Sequence, residues 1–280
     1  MKYKFGKAEY DLSSRTFVMG ILNITPDSFS DGGKYFNKQA DIKKAVEDAV
    51  QMEKDGADFI DVGGESTRPG SEKVELDKEL ERVIPLISLL TKKINIPVSI
   101  DTYKHEVADE ALKAGATIVN DISGFKFDKK IAEVTAKHNA SCILMHIKGT
   151  PKDMQLNLVY ENVVEEVYEY LNESVETARN HGIRQIITDV GIGFGKSLDH
   201  NLELLRNLKR FQDLKHPVLL GVSRKSFIDK IFPAKSFERL EGTIAANILG
   251  IVNGANIIRV HDVKENKKAV RIADRILYKK

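Results

Sequence analysis

Short apolar, β-branched runs alternate with amphipathic stretches along nearly the whole chain, and this alternation restricts the fold more than any other feature. Strands are predicted at residues 17–22, 59–62, 98–101, 117–121, 141–145, 185–189, 218–222 and 256–260. Between them the helical period is plain. Ile42, Ala45, Val46, Ala49 and Val50 share one face, as do Val107, Ala108, Ala111, Leu112 and Gly115, and Val163, Val167, Leu171, Ser174 and Ala178. Gly56, Gly115, Gly182 and Gly254 stand where a helix stops and the next strand begins, a position that favours a left-handed residue. Pro85 interrupts an apolar helical pattern and predicts a kink or a late helix start. Such repeated βα units, with near-continuously apolar strands, require a parallel sheet covered by helices. At 280 residues the expected fold is α/β, a single-domain (β/α)8 TIM barrel over residues 17–280 behind an N-terminal lead-in of residues 1–16. An open doubly wound sheet is the competitor, but no strand runs into a dinucleotide-type glycine fingerprint.

Composition narrows the partners. With 43 Lys and Arg against 41 Asp and Glu the net charge is +2, which argues against a nucleic acid held by bulk charge. Hydrophobic residues at 42% suffice for a full core and exclude global disorder. The one cysteine, Cys142, lies in an apolar run and reads as a small buried hydrophobe in a reducing compartment. The first fifteen residues are charged and polar, unlike a signal peptide, and no apolar run approaches the ~18–20 residues needed to span a membrane. A cytoplasmic protein with no membrane partner is expected.

The chemistry gathers at the strand ends. Each predicted strand runs into a polar or glycine-rich cluster, at residues 23–33, 63–70, 101–104, 120–124, 145–155, 189–196, 223–226 and 259–262, whereas the returns from helix to strand are plain. In a barrel these clusters converge on the rim that carries active sites. Any one of them alone is explained by loop polarity or helix capping. Asp101, Asn120 and Asp189 offer acceptors suited to a flat, nitrogen-rich ring that presents N–H donors. Arg68, Lys225, Arg259 and His261, with Gly63, Gly64, Ser66 and Thr67, supply positive charge and donors for a phosphate or other polyanion. Asn23 carries a hard oxygen that suits Mg²⁺ in company with phosphate. For Lys104, Lys126 and Lys196 a solvated rim is the competing reading. The seven histidines show no paired zinc spacing, and the glycine-rich stretch before Lys196 is too short for a Walker A loop.

Taken together, the motifs resemble one family. Gly20-Ile21-Leu22-Asn23-Ile24-Thr25-Pro26-Asp27-Ser28-Phe29-Ser30-Asp31-Gly32-Gly33 and Asp61-Val62-Gly63-Gly64-Glu65-Ser66-Thr67-Arg68-Pro69-Gly70 resemble signatures of the dihydropteroate synthases. Ser99-Ile100-Asp101-Thr102, Asn120-Asp121-Ile122, Met145-His146, Gly191-Ile192-Gly193-Phe194-Gly195-Lys196, Ser223-Arg224-Lys225-Ser226 and Arg259-Val260-His261-Asp262-Val263 follow in the same order. The resemblance implies condensation of 6-hydroxymethyl-7,8-dihydropterin pyrophosphate with p-aminobenzoate, giving dihydropteroate and pyrophosphate in folate biosynthesis. It assigns the pterin to Asp101, Asn120, Asp189 and Lys225, with Met145, Ile122 and Phe194 around the ring, and makes Asp101, Asp189 and Lys225 the catalytic groups. Pyrophosphate is assigned to Asn23, Thr67, Arg68, Arg259 and His261 with Mg²⁺ held at Asn23. The arylamine is assigned to Phe29, Pro69, Phe194 and Ser226 beneath loops at residues 25–35 and 63–71. Sulfonamides, as mimics of p-aminobenzoate, are implied inhibitors, and a homodimer is implied as the assembly. Where the family usually carries Pro after Asp189 this chain has Val190, which predicts a less rigid turn with the carboxylate retained.

Departure of pyrophosphate in an SN1-like reaction leaves a cation on the pterin methylene, which carboxylates beside the ring would stabilise, and a neutral arylamine needs no strong base. The alternative is a methyltetrahydrofolate-binding corrinoid methyltransferase domain, which has no use for the basic rim. A non-enzymatic barrel has no use for the charged rim at all. An apolar line of Leu240, Ile244, Ile248 and Ile251 is expected to face the barrel rather than a partner.

Overall fold

The computed structural model describes residues 1–24 and 38–278. The chain opens with a hairpin, β1 (Lys2–Phe5) and β2 (Ala8–Asp11), and then alternates: β3 (Phe17–Asn23), α1 (Lys38–Lys54), β4 (Phe59–Gly63), α2 (Leu76–Lys93), β5 (Val98–Asp101), α3 (His105–Lys113), β6 (Ile118–Asp121), α4 (Lys130–Lys137), β7 (Ser141–Met145), α5 (Val163–Asn180), β8 (Ile186–Asp189), α6 (Leu198–Arg206), β9 (Val218–Leu220), α7 (Ser226–Asp229), α8 (Leu240–Val252), β10 (Ile257–Val260) and α9 (Val263–Leu277). Strands β3 to β10 pair in sequence order, all parallel, and β10 closes on β3. The protein is therefore a closed (β/α)8 barrel. Gly56, Gly115, Gly182 and Gly254 all adopt positive φ at the helix ends, as the sequence requires.

Strand alternation sorts the side chains into two cores. Val18, Ile60, Val62, Val119, Cys142 and Leu144 point outward into the layer beneath the helices. Phe17, Met19, Phe59, Ile118, Ile143, Ile187, Leu219 and Ile257 point into the barrel, where they meet Tyr3, Phe5 and Leu12. The segment read from sequence only as a lead-in thus forms the barrel floor: Phe5 packs edge-on to Phe59 with ring centroids 5.1 Å apart, and the Tyr3 hydroxyl donates to the Ile186 carbonyl at 2.7 Å. Its signal was the alternation Lys2, Tyr3, Lys4, Phe5 followed by Gly6, which gives one exposed and one buried face.

Two expectations need correcting. Helix α2 begins at Leu76 and runs on through Pro85, which lies on its exposed face, so the late start is not seen. In α8 the barrel-facing residues are Thr243, Ala246, Asn247, Gly250 and Ile251, while Leu240, Ile244 and Ile248 lie only half-buried beside that line. Gly250 fixes the orientation, since a Cβ there would come within 2.1 Å of the Leu220 side chain. No helix among the described residues is long and apolar enough to cross a membrane.

Candidate active site at the mouth of the barrel

Following one inward-facing row up each strand shows how the site is made. On β4 the row reads Phe59, Asp61, Gly63; on β6, Ile118, Asn120; on β8, Ile187, Asp189; on β10, Ile257, Arg259. Each row starts apolar at the floor and ends polar at the carboxyl end, so the same pleat that builds the floor aims charged groups into the mouth.

The polar layer is linked. Arg259 Nε donates to Asp61 Oδ2 at 2.6 Å and its Nη2 to Asp101 Oδ2 at 2.7 Å, while Asn120 Nδ2 donates to Asp61 Oδ2 at 3.0 Å. Asp61 was not singled out from the sequence, although an acid between Ile60 and Val62 in a fully buried strand was its signal. Its other oxygen, Oδ1, is buried without a partner. Burial pushes the Asp101 carboxyl up to about 7 against the pull of Arg259, and raises Asp189 against the pull of Lys225. Burial likewise lowers the Lys225 ammonium to about 8, with Asp189 opposing.

Asp189 is held by the loop that follows it. Its Oδ1 accepts the Gly191 N–H at 2.8 Å, an Asx turn that needs no ring at Val190, so the carboxylate keeps its place without the proline. Lys225 donates to the Ile192 carbonyl and lies 4.5 Å from the centroid of Phe194. Gly221 faces both: a Cβ there would sit 3.7 Å from Asp189 Oδ2 and 3.9 Å from Lys225 Nζ. The wall is apolar, with Ile122, Met145, Ile147 and Met154 clustered and Tyr103 and Phe194 packed on them.

Higher on the rim, Ser223 Oγ accepts the His261 backbone N–H at 3.2 Å and lies 3.0 Å from His261 Nδ1. Donation of the hydroxyl hydrogen to Nδ1 leaves Nε2 as the imidazole donor. Burial, with Arg224, Arg259 and Arg68 nearby, lowers His261 to about 3. It is thus neutral, and the positive charge expected of it from sequence comes from the arginines that depress it. Arg259, expected at the pyrophosphate, lies lower, across Asp61 and Asp101. Two of the roughly five N–H bonds of its guanidinium are engaged there and the rest stay available. Arg68 and Pro69 are exposed and Thr67 half-exposed on the loop after β4, which is tied down where Gly70 N–H meets the Pro151 carbonyl at 2.9 Å. Ser226 is exposed at the start of α7, and Phe29 lies outside the described residues.

For two of the three lysines the competing reading of a solvated rim does not hold, because they are buried. Lys104 bonds Glu65, Glu79 and, at 2.7 Å, the Val74 carbonyl, clamping both ends of the loop after β4. Lys196 is buried beside His146. Lys126 does reach solvent, pairing with Glu173 at 2.6 Å over the Tyr170 ring. His105, Glu106 and Asp128 also group closely, but Asp128 caps α3 by accepting the His105 N–H at 3.0 Å, an ordinary structural use.

A Mg²⁺ ion needs oxygen donors, most of them from its substrate or water. Asn23, at the end of β3, offers one, and Gly63 leaves space before it, since a Cβ there would lie 3.0 Å from Asn23 Oδ1. That donor fits an ion held mainly by phosphate.

A barrel whose mouth sets buried acceptors beneath a basic rim defines a class, and the comparisons give the same class. The family model described as pterin binding enzyme matches residues 19–261. The dihydropteroate synthase of Clostridium beijerinckii is 48% identical, over 98% of this chain and 99% of its own. A crystal structure of dihydropteroate synthase from Clostridium difficile in the presence of pteroic acid is 47% identical with a TM-score of 0.89, covering 97% of this chain and 100% of its own. The Yersinia pestis dihydropteroate synthase, solved with a sulfonamide drug complex, is 38% identical with a TM-score of 0.92, covering 99% of each chain. The chain belongs to the pterin-binding enzymes and, within them, to the dihydropteroate synthases.

Proposed function

We propose that this mouth joins 6-hydroxymethyl-7,8-dihydropterin pyrophosphate to p-aminobenzoate with the residues described above. The observation that carries the residue roles is the acceptor layer of buried Asn120 and Asp189 with the nearly buried Asp101, and Asp61 Oδ1 still lacking a donor. A pterin edge rich in N–H groups supplies such donors, and Ile122 and Met145 give its ring an apolar wall. Lys225, over Phe194, reaches the ring from the other side as a donor. Arg68, the free N–H bonds of Arg259 and the Nε2–H of neutral His261 receive the pyrophosphate. As it leaves, the carboxylates of Asp101 and Asp189 stabilise the methylene cation, and the arylamine nitrogen attacks from the rim beside Phe194, Pro69 and Ser226. Mg²⁺ bound at Asn23 would neutralise leaving-group charge.

Purified protein, the dihydropterin pyrophosphate, Mg²⁺ and labelled p-aminobenzoate should yield labelled dihydropteroate. No incorporation with both substrates intact would overturn the reading. A corrinoid methyltransferase, by contrast, leaves the basic rim without a task. Sulfonamides are expected to compete with the arylamine. We further place the protein in a reducing cytoplasm, in keeping with its lone buried Cys142, and assemble it as a homodimer through α8 and α9. Those helices leave Leu249 63%, Ile272 65% and Ile276 74% exposed, an apolar face for a second copy.

A further inference from the structure

The stretch Gly191 to Lys196 contains a device that the reaction does not use directly. Gly191, Gly193 and Gly195 all take positive φ, at 66°, 85° and 65°, and the loop coils tightly against the segment that follows β7. A Cβ at Gly191 would fall 1.9 Å from the His146 carbonyl oxygen, and one at Gly195 would fall 2.4 Å from that of Lys148. At the centre of the coil is Lys196 Nζ, 2.7 Å from His146 Nδ1 and 2.9 Å from each of the Gly191 and Phe194 carbonyls. Lys196 is 1% exposed, and among the described residues no carboxylate bonds its nitrogen.

The tie holds in either protonation state. An ammonium has three N–H bonds for the three acceptors. Without that proton, His146 donates Nδ1–H to the amine and both carbonyls keep their bonds. Burial, with Lys225 adding to it, pulls the Lys196 ammonium well below the ordinary lysine range, so both states are within reach. The carbonyls it holds bracket Ile192, whose own carbonyl receives Lys225, and include that of Phe194, whose ring lies beneath Lys225.

We propose that Lys196 is a positioning residue, a donor hub that fixes the loop after β8 so that Lys225 and Phe194 are aimed at the pterin. This rests on the pterin site described above. With p-aminobenzoate saturating, Lys196→Met should raise KM for the dihydropterin pyrophosphate and lower kcat/KM about tenfold or more, since small losses of aim are costly. In a Lys225→Ala background the same substitution should change kcat/KM by less than about twofold, because residues acting as one unit are not additive. His146→Phe, which keeps a ring 4.6 Å from Tyr170 but removes the acceptor, should shift KM in the same direction by a smaller factor; it decides the matter if Lys196→Met does not fold. Binding of 6-hydroxymethylpterin, followed by its own fluorescence, supplies a readout apart from turnover. Equal losses in both backgrounds, or a lowered Tm with unchanged KM and pterin binding, would overturn the proposal. Failure of the unsubstituted protein to bind the pterin would instead overturn the site itself.

Discussion

Gly221 and Asp101 show how much of the site's behaviour is decided by single residues. Gly221 leaves open the space between Asp189 and Lys225. Gly221→Val should therefore cut kcat/KM for the pterin substrate on the order of 100-fold while leaving the fold intact, measured by steady-state kinetics beside a thermal melt. In the proposed roles Asp101 accepts ring donors as a carboxylate and Lys225 gives one as an ammonium. With one poised at about 7 and the other at about 8, kcat/KM should trace a narrow bell, losing tenfold per pH unit below the first limb and above the second. A flat profile across that range would remove both assignments. The stability sign is separate. Unfolded, Asp101 releases its proton near 3.8, so between about 4 and 7 the native state holds a proton the unfolded chain has lost, and this group weakens the fold as pH rises through that window. Asp101 and Asp189 are legible because they end strands, and Asn120 because it opens the polar cluster one residue before the end of β6. Asp61 is less legible: its one mark is an acid inside an otherwise apolar run, and its partners then show its place.

At the scale of elements, the strands and helix stops were written in hydrophobic period and glycine placement, and the barrel strands lie within a residue or two of their predicted bounds. What period cannot report is which charged side chain turns inward, and this is why sequence alone leaves Lys104 and Lys196 open between rim and interior. Lys104 stands between Glu65 and Glu79, and Glu79, only 1% exposed, also accepts the Thr102 hydroxyl at 2.8 Å. Lys104→Met would strand these acids without their cation and should cost about 3–5 kcal/mol, seen as a lower denaturation midpoint. The hairpin makes the opposite kind of prediction. Phe5→Ala should cost about 3–5 kcal/mol through the cavity left against Phe59, yet leave kcat/KM unchanged at temperatures where the protein stays folded.

For the whole molecule, near-neutral net charge conceals a local arrangement: acids line the depth of the mouth with Arg259 and Lys225 among them, and Arg68 stands exposed on the rim. The apolar face of α8 and α9 lies on the outer helix layer, so the proposed dimer would keep assembly apart from the chemistry. Ile272→Glu together with Leu249→Arg should convert a dimer to a monomer in light scattering after gel filtration, with the pterin KM little altered. The floor built by Tyr3, Phe5 and Leu12 has a kinetic meaning as well. A barrel sealed at one end is a blind well, and a blind well imposes a queue: whatever rests deepest must enter first and leave last. On the proposed reading, a pterin seated on the carboxylates is expected to precede the arylamine at the lip, and an arylamine arriving early should find only a doorway.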